Sequence, residues 1–259
     1  MSFQRYPVAT VQKVSQFVRE TLILPPYEQT DQLGTSDDST PLPDSLNALG
    51  DLFRVGDVPE DNIPSPNAEG RWFVSTIDPA EALAKLPGLW IRPGIRLVTY
   101  LRRDATSGMA ATVALPKLLS TTEYLEDAIK NTSASHVPQP LGALPNLMAS
   151  IDGDGSLASF LAASIFIREV REFGLFGHHS RWLHHRFVAA PPQQVSWRWR
   201  TKIPEDFSPK VVLRQNAEVI VEFYSCRVRK PVALFRHLDR YPPNSYTAKN
   251  QDQVVATVN

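Results

Sequence analysis

The segment SLASFLAASIFIREVREF, residues 156–173, constrains the fold more than any other part of the sequence. It has the composition of a long α-helix, which Ser156 can cap at its start and Gly174 can end. Its first half is apolar on nearly every side, whereas a helix on a protein surface carries only one apolar stripe. We therefore predict a long helix buried in the core, with other elements packed around it.

Alternating apolar and polar residues predict two antiparallel hairpins. Residues 95–103 and 109–115 flank the turn DATSG, and residues 210–213 and 218–228 flank a turn at 215–217. We also predict strands at 71–77, 182–188 and 195–202, short helices after Asp78, at 120–130 and at 234–238, and a polar tail. Hairpins with helices grouped between them indicate an α+β fold, with a largely antiparallel sheet packed against the long buried helix and several short ones.

The first 70 residues differ in composition from the rest. Residues 1–24 predict an amphipathic helix that ends before two prolines. Residues 25–70 are rich in Pro, Asp and Ser and contain ten acidic residues and one basic residue, which predicts an acidic and partly disordered connector. Residues 71–259 hold the other predicted strands and helices, and we interpret them as a single α+β globular domain.

The charge of the chain argues against nucleic acid as its main partner. Formal net charge is zero, with 27 basic and 27 acidic residues, whereas nucleic-acid-binding proteins usually carry a basic excess. Residues 166–240 nevertheless contain fourteen Lys and Arg against seven acidic residues. This region could attract the acidic connector or an acidic partner, although a solvated surface with no binding role would have the same composition.

The sequence indicates a soluble protein of the cytoplasm. Cys226 is the only cysteine, so an internal disulfide is impossible, as is usual in a reducing compartment. The N-terminal residues lack the apolar core of a secretory signal, and no segment has the length and apolarity of a membrane span. Within its apolar strand, Cys226 is expected to be a buried and unreactive thiol.

The segment FGHHSRWLHHRF, residues 176–187, contains four of the six histidines. They are His178, His179, His184 and His185. Neither a strand nor a helix gives them the i, i+4 spacing of a helical zinc site, so a metal site would need a further ligand from elsewhere in the fold. The candidates for that ligand are Glu172, Cys226, His237 and Asp239. A metal site of these four histidines is one hypothesis, and a strand that contacts a partner is the other.

Two further motifs have simpler structural interpretations. SWRWRTK, residues 196–202, could contact nucleic acid, but its alternation predicts a strand with two tryptophans facing the core and two arginines facing water. GDGSLA, residues 153–158, matches a dinucleotide-binding pattern, but no acidic residue follows where the ribose needs one. A turn that leads into a helix cap explains it.

These observations favour a protein that binds or assembles with another protein, without catalysis and without a cofactor. The sequence has no nucleophile motif, P-loop or C-x-x-C pair. The predicted contact residues are Val14, Phe17 and Val18 on the first helix, and Arg181 and Trp182 on the body. One alternative is an enzyme built around the four histidines, with or without a metal. RNA binding by the basic last third is another, ranked last because the chain is neutral overall.

Overall fold

The computed structural model describes residues 2–25, 28, 70–104, 107–133, 136–193 and 195–258. In these residues the α-helices are α1 (Val8–Thr21), α2 (Ala80–Leu83), α3 (Thr122–Lys130) and α4 (Leu157–Glu172). The strands are β1 (Ser2–Arg5), β2 (Trp72–Val74), β3 (Leu89–Ile91), β4 (Ile95–Asp104), β5 (Ser107–Pro116), β6 (Ile151–Gly153), β7 (His185–Phe187), β8 (Trp197–Trp199), β9 (Lys210–Leu213), β10 (Val219–Arg227), β11 (Ala233–Tyr241) and β12 (Lys249–Val258). Short 3₁₀ turns lie at Lys117–Leu119, Leu147–Ser150 and Trp182–His184.

The described strands form three sheets in which every pairing is antiparallel. The large sheet has the order β1-β9-β10-β11-β12-β8, and β7 pairs with β10 beyond the end of β9. The second sheet has the order β2-β4-β5, and the third pairs β3 with β6. The predicted α+β class with largely antiparallel sheets is confirmed, and both predicted hairpins, β4–β5 and β9–β10, are present.

Helix α4 lies between two of the sheets. It packs against β9 and β10 of the large sheet and against β5 of the three-stranded sheet. Residues 159–170 are buried without a break, and the Ser156 hydroxyl caps the helix by accepting from the amide of Ser159. Burial on all sides explains why an apolar stripe is missing from its sequence. In the described part of the chain, no helix has both the length and the apolarity to cross a membrane.

Helix α1 packs against the body through α4, α2 and β7. Val11 and Val18 are fully buried in this contact. The Glu169 carboxylate of α4 accepts a hydrogen bond from the Ser15 hydroxyl and, at 2.7 Å, one from Arg19 Nε. An apolar contact and a buried carboxylate therefore hold α1 in place.

The helical residues predicted to contact a partner lie on this docked face. Val18 is buried, and Val14 and Phe17 are partly buried against the main core. A partner could contact Val18 only after α1 had left the body. The helix covers only part of the predicted range 1–24: it begins at Val8, after Pro7, and Ser2–Arg5 before it form β1.

Glu28 attaches the start of the acidic connector to the body. Its buried carboxylate accepts hydrogen bonds from Ser75 Oγ at 2.6 Å and from the amide of Thr76 at 2.7 Å. Its carbonyl accepts from Arg103 Nε at 2.8 Å. Residues 29–69 lie outside the described residues, and with them the predicted disorder of the connector. The proposed division of the chain at residues 24 and 70 stays a prediction.

Two predictions about the last third are wrong. The helix predicted at 234–238 is the middle of β11, and the predicted polar tail is the ten-residue strand β12. Leu234 and Leu238 have helical spacing, but pairing with β10 on one side and β12 on the other decides the structure. The strand predicted at 182–188 is confined to His185–Phe187, because a 3₁₀ turn precedes it.

Candidate functional site

The four clustered histidines lie in three different surroundings. The rings of His178 and His179 contact each other with centroids 3.9 Å apart, and His184 Nε2 lies 3.3 Å from an Arg229 nitrogen. His185 instead points into the large sheet. Among the described residues, no group of three or more His, Cys, Asp or Glu side chains is placed to hold a metal ion. The structure thus does not gather these histidines into one ligand set.

A continuous chain of hydrogen bonds links four neighbouring strands of the large sheet, from β12 through β11 and β10 to His185 on β7. Asp252 Oδ1 on β12 lies 2.7 Å from His237 Nδ1 on β11, its direct neighbour in the strand register. His237 Nε2 lies 2.7 Å from Ser225 Oγ on β10, and Ser225 Oγ lies 2.7 Å from His185 Nδ1. Ser225 is fully buried and His237 is 1% exposed, so these two share their hydrogen bonds with protein groups rather than with bulk water.

The chain has one consistent direction of donation. An ionised Asp252 only accepts, so His237 Nδ1 donates to it and His237 Nε2 accepts from the Ser225 hydroxyl. The Ser225 oxygen then accepts from Nδ1 of His185. Both imidazoles are neutral in this arrangement. Burial lowers the pKa of His237 and, with the nearby charge of Arg227, lowers the pKa of His185 to about 3.

Arg168 of α4 joins this chain to the buried carboxylate of Asp239. Its two terminal nitrogens donate to both oxygens of Asp239, at 2.5 and 2.8 Å, and one of them also donates to Asp252 at 3.1 Å. Asn250 Nδ2 donates to Asp239 at 2.7 Å. Partial burial alone would raise the pKa of Asp252, but the hydrogen bond from His237 and the charge of Arg168 hold that pKa below its usual range. The group therefore pairs its buried charges internally.

The segment that precedes β7 is hydrogen-bonded to the carboxylate of Glu172 on α4. The Glu172 carboxylate accepts from the Trp182 amide at 3.0 Å and from the Leu183 amide at 3.1 Å, and also from the Ser180 hydroxyl. A carboxylate that binds two successive amides and a hydroxyl fixes the backbone of a turn. The 3₁₀ turn at Trp182–His184 is thereby fixed relative to the helix.

The two body residues predicted to contact a partner differ in their exposure. Trp182 faces inward: its indole nitrogen donates to Glu169 at 2.9 Å, its ring stacks on His185 with centroids 5.1 Å apart, and the Arg168 guanidinium lies 5.7 Å from the ring centroid. Arg181 is exposed. Of this pair, Arg181 is the residue that a partner could contact without rearrangement.

The chemistry open to this group follows from the order of its members and from the burial of Ser225. Asp252, His237 and Ser225 are hydrogen-bonded in the order of a Ser–His–Asp triad, which activates a serine for nucleophilic attack. A nucleophile must contact its substrate, however, and Ser225 is fully buried. As folded, the group ties α4 to three strands of the sheet.

The sequence offered only partial signals for this group. His237 and Asp239 were considered as possible metal ligands, whereas Arg168, Ser225 and Asp252 were not considered. One available signal was Arg168, because it is a charged residue within a helix that is predicted to be buried. Such a residue requires a buried counter-charge.

A second available signal was the pair of acidic residues near the C-terminal end of α4, Glu169 and Glu172. Carboxylates are disfavoured there because the last carbonyl groups of a helix carry partial negative charge. Acidic residues in that position therefore indicate donors from outside the helix. In the structure those donors come from α1 and from the segment before β7.

The SWRWRTK and Cys226 predictions agree with the structure. Trp197 and Trp199 are partly buried against a small apolar cluster that includes Cys226, and Arg198 and Arg200 are exposed. Cys226 is buried, and burial raises the pKa of its thiol. This favours the protonated and less reactive form.

The interpretation of GDGSLA as a turn and helix cap is also confirmed. The motif ends β6 and begins α4, with Ser156 as the cap. The Tyr246 hydroxyl accepts from the Gly155 amide at 3.0 Å and lies 2.6 Å from Ser159 Oγ. A side chain of the protein itself thus occupies the region where a bound phosphate would contact the start of the helix.

No family model matches the chain, and neither a curated protein nor a solved structure matches it. A fold alone does not define an activity, because one architecture serves many chemistries. A function must therefore follow from the arrangement of these residues.

Proposed function

We propose that this chain is a binding or assembly protein that acts through contact with another protein. The observation that carries the proposal is the way in which Glu172 and Glu169 hold the segment before β7. Four hydrogen bonds fix its backbone and its tryptophan from beneath, while the side chains of Arg181 and Leu183 stay exposed. A fixed surface loses little conformational entropy on association, which favours binding.

The composition of this surface supports a role in recognition. Residues 173–204 contain no Asp or Glu, so Arg181 and Arg186 have no acidic residue close to them in sequence. Leu183 is 46% exposed and lies within this basic surface. An arginine beside an exposed apolar side chain is a common composition at protein interfaces.

A cytoplasmic location belongs to the same proposal. The only cysteine, Cys226, is buried with a raised thiol pKa, so the chain carries no disulfide and no activated thiol. We also propose that nucleic acid is not the main partner. The two tryptophans next to basic residues in SWRWRTK pack partly against the protein and are not free to stack on bases.

The proposal is tested by affinity capture from native lysate. We expect the wild-type chain to retain a protein partner in stoichiometric amount, and the double variant Arg181→Glu, Leu183→Asp to lose at least about tenfold of it, equivalent to about 1.4 kcal/mol. The matched control is Arg198→Glu, Ile203→Asp, which changes an exposed arginine and an exposed aliphatic residue on a different strand and loop. Mass spectrometry quantifies the partner. A chain that retains no partner, or an equal loss in both variants, would contradict the proposal.

The order Asp252–His237–Ser225 favours a second candidate, a hydrolase that forms a covalent bond through Ser225. We expect an alkyl fluorophosphonate, which captures activated serines, to leave the wild-type chain unlabelled because Ser225 is fully buried. Intact-mass spectrometry measures the adduct. Labelling that disappears in Ser225→Ala and persists in Ser180→Ala would reject the non-catalytic proposal and establish the hydrolase.

A further inference from the structure

The loop between β10 and β11 brings a second basic segment beside the first. The amide of Val228 donates to the carbonyl of His184 at 2.9 Å, and an Arg229 nitrogen lies 3.3 Å from His184 Nε2. Arg227 is paired with His185 in the register of β10 and β7. Residues more than forty positions apart in sequence thus form one continuous surface.

We call this surface the basic patch. It consists of Leu183, His184, Arg186, Val228, Arg229 and Lys230. Leu183 is 46% exposed and Val228 is 53% exposed, and the two arginines and the lysine are also exposed. The patch therefore combines an aliphatic part with three cationic side chains.

The cations of the basic patch have no acidic partner among the residues that the structure describes. Arg186 donates to the carbonyls of Leu183 and His185, and Arg229 contacts the ring of His184. Four cations on or next to β9 and β11 are instead paired with carboxylates. These pairs are Lys210 and Arg236 with Glu222, and Arg214 and Arg240 with Glu218. The patch thus carries positive charge that is not compensated in the way that the charge of β9 and β11 is.

We propose that the basic patch binds an acidic segment of another protein that presents an aliphatic or aromatic side chain. Carboxylates of the partner would relieve the repulsion between neighbouring cations, and arginine binds a carboxylate through two parallel hydrogen bonds. Leu183 and Val228 would bury the apolar side chain of the partner. This inference rests on the proposed function and specifies the chemistry of the partner.

The aliphatic side chains of the patch favour a protein partner over an RNA partner. Proteins that bind single-stranded RNA stack its bases on exposed aromatic side chains. The one aromatic ring of the patch, that of His184, contacts Arg229. Trp182 and His185, which adjoin the patch, stack on each other and donate their hydrogen bonds inward to Glu169 and Ser225. Two exposed aliphatic side chains favour an apolar side chain of a protein.

The test uses fluorescence anisotropy with the full chain and a labelled synthetic peptide that is rich in Glu and contains several Leu residues. We expect binding that weakens at least about tenfold between about 0.05 and 0.5 M salt, because screening shortens the range of the charges. The variant Arg186→Glu, Arg229→Glu should weaken it at least about tenfold, equivalent to about 1.4 kcal/mol. The matched control is Arg198→Glu, Arg200→Glu, which reverses two exposed arginines on and next to β8 and should change binding less than twofold.

Further probes decide between the alternatives. A peptide with Ser in place of Leu should bind at least about threefold more weakly, because the apolar contact is lost. Equal binding of that peptide, tighter binding of a single-stranded RNA, or an equal effect of the control variant would overturn the inference. Failure of the peptide to bind would also overturn it.

The capture experiment separates failure of this inference from failure of the proposed function. A lysate partner that Arg186→Glu, Arg229→Glu retains, but Arg181→Glu, Leu183→Asp loses, would overturn the basic patch and leave the binding function intact. A chain without any partner would overturn the binding function itself. Loss of the same partner in both variants, with retention in Arg198→Glu, Arg200→Glu, supports both.

Discussion

Replacing Arg168 with Met is expected to lower the free energy of unfolding by about 3 to 5 kcal/mol, the usual cost of leaving a buried charge without its partner. Asp239 is fully buried and would lose two donors, at 2.5 and 2.8 Å; of its side-chain donors among the described residues, Asn250 Nδ2 at 2.7 Å would remain. Urea unfolding followed by circular dichroism measures the loss. The exposed Arg200, changed to Met, serves as the control and should alter stability by less than about 0.5 kcal/mol.

A double variant identifies the cause of that loss. If the cost comes from the uncompensated carboxylate, Arg168→Met with Asp239→Leu should be more stable than Arg168→Met alone, because both charges are then absent. A cost below about 1 kcal/mol for the single variant would contradict the buried pair. A double variant no more stable than the single one would assign the loss to packing instead of to charge.

Stability is expected to fall steadily as the pH is lowered from about 7 to about 4, because His185 and His237 are neutral in the folded chain. Their pKa values are lowered by burial, that of His185 to about 3, whereas an unfolded histidine has a pKa of about 6.5. As the pH falls, the unfolded chain therefore binds protons on these histidines at a higher pH than the folded chain does. The stabilisation is complete above about pH 6.5 and is lost as the pH falls toward the folded values, by about 1.4 kcal/mol per pH unit for each histidine.

Asp252 acts in the same direction at lower pH. Its pKa is lowered in the folded chain, so its contribution is present above the unfolded value of about 3.9 and is lost as the pH falls through the folded value. The urea midpoint, measured at several pH values, reports these losses. Removing one titrating group in His185→Asn should reduce the slope between about pH 6.5 and 4. A wild-type midpoint that is constant over this range would show that the two histidines are charged in the folded chain.

The parts of the fold that were predictable are those coded by neighbouring residues. The apolar run at 156–173 and the alternation on both sides of the DATSG turn each specify an element from within a short window. In contrast, β11 and β12 are strands because each pairs with a strand on both sides. The sequence around Leu234 and Leu238 has helical spacing, and no short pattern there predicts a strand instead. The wrong predictions concern the elements whose structure is decided by tertiary contacts.

The candidate site was less predictable than the fold for a related reason. His237 and Asp252 are neighbours only through the register of two strands, and Ser225 joins them from a third. Such a group has no sequence spacing to recognise. The histidine-rich segment drew attention to His185, but the sequence could not indicate that His185 alone turns inward while its neighbours remain in separate surroundings.

Arg103 fixes two points of the chain that lie far apart in sequence. Its Nε donates to the carbonyl of Glu28, and its own carbonyl accepts from the amide of Gly70 at 2.7 Å. Glu28 and Gly70 are therefore bound to the side chain and to the carbonyl group of one residue. A substitution that shifts Arg103 would move both of these points at once, so their positions on the body are coupled through a single side chain.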